Sequence, residues 1–140
     1  MSKVAVVYWS QTGNTEAMAN SVAEGVTAAG GEAALITAGD FNSGAVAEYD
    51  AIAFGCPSMG VEVLEEAEFQ PMWDDVKGSL SGKKIALFGS YGWGDGEWMR
   101  NWEAECKEAG IDLATESVMA NETPGDDDTQ KCRELGKALV

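Results

Sequence analysis

Histidine is absent from the 140 residues, which removes Ser-His-Asp hydrolysis, Cys-His proteolysis and HExxH zinc chemistry together. Positive charge is scarce: 9 Lys and Arg stand against 24 Asp and Glu, for a formal net charge of -15 and a pI of ≈ 4.1. Polyphosphate backbones and anionic membrane surfaces repel so acidic a chain, so neither nucleic acid nor a membrane is expected as a partner. Cysteine is limited to Cys56, Cys106 and Cys132, with neither CxxC spacing nor an even number. They read as buried or free thiols of a reducing compartment rather than a disulfide framework. Long apolar runs are missing too. The run 4–9 stops at Ser10, too short for a membrane span or a signal-peptide core, so a cytoplasmic location is expected. Neither G-x-x-x-x-G-K-[ST] nor G-x-G-x-x-G occurs, which argues against nucleoside triphosphates and dinucleotides.

What is present fits one domain, since 140 residues with 45% hydrophobic content bury a sizeable core unaided. Short apolar runs alternate with segments of helical period, the pattern of βα units that cover both faces of a parallel sheet. Strands are expected at 3–8, 32–37, 51–55, 83–89 and 113–119. The runs Val4 Ala5 Val6 Val7 and Ile85 Ala86 Leu87 Phe88 do not alternate with polar residues, which marks central strands buried on both sides. Four apolar stripes read as core-facing helix surfaces. They are Met18, Val22 and Val26 flanked by Ala19 and Ala23; Phe69, Met72, Trp73, Val76 and Leu80; Met99, Trp102, Cys106 and Ala109; and Cys132, Leu135, Gly136 and Leu139. The stretch 40–49 reads as a short helix or an irregular crossover.

Three loops carry the chemistry. Ser10 Gln11 Thr12 Gly13 Asn14 Thr15 joins the first strand to the first helix and is dense in hydroxyls without a cation. A helix start of this kind suits a phosphate, through unpaired N–H groups and a partial positive charge; it equally suits an ordinary N-cap. The second loop, Cys56 Pro57 Ser58 Met59 Gly60 Val61 Glu62, follows the third strand, and Ser90 Tyr91 Gly92 Trp93 Gly94 Asp95 Gly96 follows the fourth. In a doubly wound sheet these ends converge with the first loop at the point where ligands bind. The glycines around Trp93 let backbone approach a ligand closely. A flat aromatic ligand would stack on that indole; otherwise it is a surface side chain on a turn.

Together the loops resemble the three flavin mononucleotide (FMN) loops of short-chain, clostridial-type flavodoxins: Ser10 through Thr15 in the S/T-x-T-G-N-T pattern, Met59 Gly60 with Glu62, and Tyr91 Gly92 Trp93 Gly94 Asp95. The likeness covers nearly the whole chain, and the insertion that splits the last strand of long-chain flavodoxins is missing. It implies a flavodoxin-like, doubly wound five-stranded parallel sheet of order 2-1-3-4-5 with helices on both faces, as one FMN-binding domain over 1–140. By the same likeness Ser10, Gln11, Thr12, Gly13, Asn14 and Thr15 hold the FMN phosphate. Trp93 stacks on the outer flavin face, Met59 lies against the inner face, Glu62 accepts from the ring N3–H, and backbone around Ser90, Tyr91 and Gly92 meets the ring or ribityl chain. Ser58, Gly94 and Asp95 complete the implied cofactor residues.

The implied function is a low-potential one-electron carrier cycling between semiquinone and hydroquinone, with no catalytic residue of its own. A carboxylate about 8 Å from the ring opposes a new negative charge by roughly 2 kcal/mol at an effective dielectric near 20, so Glu62 and Asp95 favour a low potential. The family's Gly60 carbonyl turns toward flavin N5, and Val61 stands where aspartate is usual. A type II turn would need positive φ at Val61, which a β-branched residue resists, so a weaker semiquinone is expected. Expected partners are redox proteins with basic docking surfaces, such as ferredoxin-type reductases and oxidoreductases, and a monomer is expected. A two-electron, quinone-type FMN reductase is the alternative. A phosphorelay receiver domain lacks its acidic residues here, since Gly55 Cys56 Pro57 and Trp9 Ser10 occupy the strand ends.

Overall fold

The computed structural model describes residues 2–11, 13–59, 63–92, 94 and 96–140. Five parallel strands, β1 (Lys3–Tyr8), β2 (Glu32–Thr37), β3 (Ala51–Gly55), β4 (Lys84–Tyr91) and β5 (Val118–Asn121), form one sheet in the order β2-β1-β3-β4-β5. The connections run through α1 (Asn14–Ala28), the four-residue α2 (Ser43–Val46), α3 (Phe69–Val76) and α4 (Glu97–Glu108), with α5 (Asp126–Ala138) closing the chain. The doubly wound sheet implied by the sequence is the one found. No helix among the described residues is long and apolar enough to cross a membrane.

The central strands alternate their side chains between two apolar layers. Ala5, Val7, Ile52, Phe54, Ile85 and Leu87 face α3 and α4, which contribute Phe69, Trp73, Trp98 and Trp102. There the aromatic rings meet edge to face, Phe54 on Trp73 with centroids 5.2 Å apart and Phe69 on Trp102 at 5.4 Å, the arrangement their quadrupoles favour. On the opposite face Val4, Val6, Ala53, Ala86 and Phe88 meet Met18, Val22, Cys132 and Leu135 of α1 and α5. These two helices touch backbone to backbone. A Cβ built on Gly25 would lie 2.0 Å from the Arg133 carbonyl oxygen, and one on Gly136 would lie 2.1 Å from that of Val22.

The first three strands fall where the apolar runs place them. β4 is displaced toward its C-terminal end, so Ser90 and Tyr91 belong to the strand rather than to the third loop. The fifth strand, expected at 113–119, begins only at Val118. Leu113 forms an isolated bridge to Ile85, and the polar segment 115–117 leaves the sheet before pairing resumes. The stretch 40–49 contains α2, whose N-terminus is capped by the Asn42 side chain accepting from the Ala45 N–H at 3.1 Å. Ala109, expected on a core-facing stripe, is exposed because α4 has ended before it, whereas Trp98 at the start of that helix is buried. The three cysteines are buried and unpaired, and burial pushes all three thiols up from their ordinary range.

Candidate functional site

At the C-terminal edge of the sheet the connections after β1 and β3 leave in opposite directions, opening a crevice between their ends. An open cleft of about 420 Å³ lies there, within the usual size of small-molecule sites. It gathers Ser10, Gln11, Asn14 and Thr15 from the first loop, Ser58 and Met59 from the second, and Ser90, Tyr91 and Gly92 from the end of β4. Nine of the sequence-derived site residues thus share one concavity. Gly13 and Gly94 are not among its lining residues. Thr12, Gly60, Glu62, Trp93 and Asp95, together with Val61, lie outside the described residues.

The first loop is organised by one hydroxyl. Ser10 Oγ accepts from the N–H groups of Gly13 and Glu16, each at 3.2 Å, while Gly13, at φ 94°, turns the chain into α1 as glycine permits. The N-cap reading is therefore satisfied in part by Ser10. It leaves the N–H groups of Asn14 and Thr15 without a hydrogen-bond partner among the described residues. Thr15 is 1% exposed, and its hydroxyl lies 3.0 Å from the Ser90 hydroxyl, which ties the helix start to β4. Ser58 is held to the same strand end by its N–H, which donates to the Ser90 carbonyl at 2.9 Å.

Three lining residues are not among the cofactor residues implied by the sequence: Pro57, which that reading placed in the second loop, and Glu122 and Thr123, which it missed. Glu122 follows β5 with φ at 57°, a left-handed conformation that costs a non-glycine residue roughly 1–2 kcal/mol. The strain secures a contact, since the Glu122 N–H donates to the Tyr91 carbonyl at 2.7 Å and Asn121 Nδ2 reaches the same oxygen at 3.4 Å. The one available signal was position, just beyond the C-terminal end of a strand, and the misplaced end of β5 hid it.

Below the second loop sits Glu65, only 6% exposed. Burial opposes ionisation of its carboxyl, but N–H donors from Phe69, Glu68 and Ala67 outweigh that and hold it below the usual carboxylate range. A folded-state pKa below the unfolded value contributes stability that is present above the unfolded pKa, about 4.3, and is lost as pH falls through the folded value. The urea midpoint is therefore expected to fall more steeply below about pH 4.3 in the wild type than in Glu65→Gln. Identical slopes would exclude the carboxylate as a source of the acid sensitivity.

The cleft can be compared with what a flavin mononucleotide requires. Its phosphate needs convergent donors, and two N–H groups without a partner among the described residues, at the start of a 15-residue helix with serine and threonine hydroxyls beside them, are suited to an anion. The ring needs apolar walls, which Met59, Pro57 and Tyr91 supply. The described residues therefore fit the group.

A doubly wound α/β protein with a phosphate-type cleft at the crossover point of its sheet is the class these features define. The family model for flavodoxin matches residues 6–136. A flavodoxin of Megasphaera elsdenii is 45% identical over 98% of both chains, and one of Clostridium beijerinckii is 42% identical over 96% of this chain and 97% of its own. The solution structure of the two-electron reduced Megasphaera protein superimposes with a TM-score of 0.90 over 97% of each chain. The chain belongs to the flavodoxin family and is of its short-chain type. It is an electron carrier that uses FMN, and the two-electron reductase alternative is set aside on that ground.

Proposed function

We propose that the cleft is the FMN site and that the 140 residues act as one domain, a monomeric cytoplasmic carrier working at low potential in single-electron steps between semiquinone and hydroquinone. The observation that carries this reading is that Asn14 and Thr15, whose N–H groups have no hydrogen-bond partner among the described residues, line the cleft shared by the β3 and β4 ends.

FMN supplies reversible one-electron chemistry when bound. The chain's part is to bind and orient it. Asn14 and Thr15 offer main-chain donors to the phosphate; Ser10 keeps the loop open by taking the neighbouring N–H groups itself; of the Thr15 and Ser90 hydroxyls, which share one hydrogen bond, the one that accepts adds a further donor. Gln11 and Gly13 belong to the same anchor, and Thr12 is assigned to it from the sequence pattern. Met59, Ser58, Tyr91 and Gly92 flank the ring and ribityl chain, with Gly60, Glu62, Trp93, Gly94 and Asp95 assigned there by family likeness. No Lys or Arg is among the described lining residues, and the chain carries a formal charge of -15, so added negative charge on the cofactor is opposed. That supports a low potential. The same charge favours encounter with redox proteins that present basic surfaces, ferredoxin-type reductases and oxidoreductases among them.

Thr15→Val tests the anchor. Hydrogen bonds to charged groups contribute about 1.5–3 kcal/mol each, so the Kd for FMN is expected to rise about 10- to 100-fold. Riboflavin, which lacks the phosphate, should bind within about threefold of wild type on the same argument. Equal losses for both flavins would mean that the hydroxyl serves the contact with Ser90 rather than the phosphate.

A further inference from the structure

The segment 56–65 leaves β3 and returns to the core as a loop closed at two levels. At its base the Glu65 N–H donates to Cys56 Sγ at 3.4 Å. One step further out Met59 and Val63 exchange two backbone hydrogen bonds of 2.9 and 3.1 Å, so the backbone of Met59, a wall of the cleft, is fixed by a neck. The base of that neck is tied to the start of α3 by the Glu65 carboxylate. Glu65 Oε2 accepts from the Ala67 N–H at 2.7 Å, and Oε1 accepts from Glu68 at 2.7 Å and Phe69 at 2.8 Å. Phe69 is fully buried and stands edge-on to Trp102. The carboxylate therefore links a rigid part of the core to the loop that borders the cleft.

Capping of α3 alone does not explain this arrangement. Glu68, the residue before the helix, makes no side-chain cap, and its carboxylate accepts from Trp9 Nε1 at 3.3 Å instead. Glu65 reaches across the turn 66–68 and takes all three donors, which makes the start of the helix and the return of the loop one unit. We infer that Glu65 is a positioning residue for the flavin, holding the neck formed by Cys56, Met59, Val63 and Glu65 so that Met59 meets the ring already in place. This rests on the cleft being the FMN site. A loop ordered before binding does not lose that freedom on binding, so its ordering adds to affinity.

The experiment uses the full apo chain as wild type, Glu65→Ala, Glu65→Asp and Glu65→Gln, each titrated with FMN and with riboflavin and each unfolded in urea. Because the loop serves the ring and not the phosphate, Glu65→Ala is expected to weaken both flavins by about tenfold while their affinity ratio stays within about threefold. Aspartate, which also accepts from N–H groups two and three residues on, is expected to recover most of the loss. A lower urea midpoint with both Kd values unchanged would overturn the inference, leaving Glu65 a stabilising residue only. If the alanine variant does not fold, Glu65→Gln keeps the volume and one acceptor oxygen; weakened binding of both flavins there supports the inference, and unchanged binding overturns it. A wild-type chain that takes up neither flavin removes the cleft reading and this one with it, and the variants are not needed to see it.

Discussion

Gly136→Ala is expected to lower the unfolding free energy by about 3 kcal/mol, a magnitude at the upper end for overfilled cores. Taken alone, the substitution ought to help, because alanine is favoured over glycine inside a helix by about 1 kcal/mol. Packing decides the sign. The added methyl group would lie 2.1 Å from the Val22 carbonyl oxygen and 3.0 Å from the Val26 nitrogen, both backbone atoms of α1 that no rotamer change relieves. Either α5 slides outward, opening the layer formed by Met18, Val22, Cys132 and Leu135, or the α1 backbone deforms. Gly78→Ala is the matched control, because a Cβ there meets nothing within 4 Å, and its stability should change by less than about 1 kcal/mol. Urea unfolding of the two variants side by side checks this. A Gly136→Ala protein as stable as wild type would mean that the helices are not in backbone contact.

The second large effect falls at the cleft. Gly89 lies within β4 opposite Met119, and a Cβ there would be 2.1 Å from the Cys56 carbonyl oxygen and 3.1 Å from Trp98 Cζ2. That carbonyl already accepts from Trp98 Nε1 at 3.2 Å. An alanine at 89 therefore has to displace the start of the second loop, break the indole hydrogen bond, or both. Overpacking of this kind costs about 2 kcal/mol, and because Pro57, Ser58 and Met59 move with Cys56, both FMN and riboflavin are expected to bind at least about tenfold more weakly. Unaltered flavin affinity in a folded Gly89→Ala protein would show that the loop does not depend on this contact.

Where the sequence could be read, the reason was burial on both sides of the sheet. Val4 through Val7 and Ile85 through Phe88 carry no polar interruption because both faces are covered, so their strands announced themselves. β5 did not, being a four-residue edge strand of alternating burial preceded by Leu113, whose isolated bridge to Ile85 imitates a strand start. The hydroxyl-rich first loop was legible because a helix N-terminus and its cap are local in sequence. Ser10 and Thr15 stand where that reading put them. The contributions of Glu122 and Glu65 were hidden, since each depends on partners brought by the tertiary structure: Tyr91, 31 positions away from Glu122 in the chain by subtraction of their residue numbers, and for Glu65 the base of a loop whose closure no local pattern encodes.

The lack of a cation among the described lining residues of the cleft, where Glu122 adds a carboxylate, reaches beyond equilibrium binding to how the cofactor is loaded. An anionic flavin approaching a chain of formal charge -15 meets repulsion at long range, and attraction sets in only over the last few ångströms, where the helix start and the hydroxyls take over. Loading is consequently expected to be slower in dilute buffer and to quicken as salt shortens the reach of the repulsion. A phosphate site lined by lysines behaves in the opposite way. On this argument the surrounding ion atmosphere is expected to govern how fast the empty protein matures into its working form.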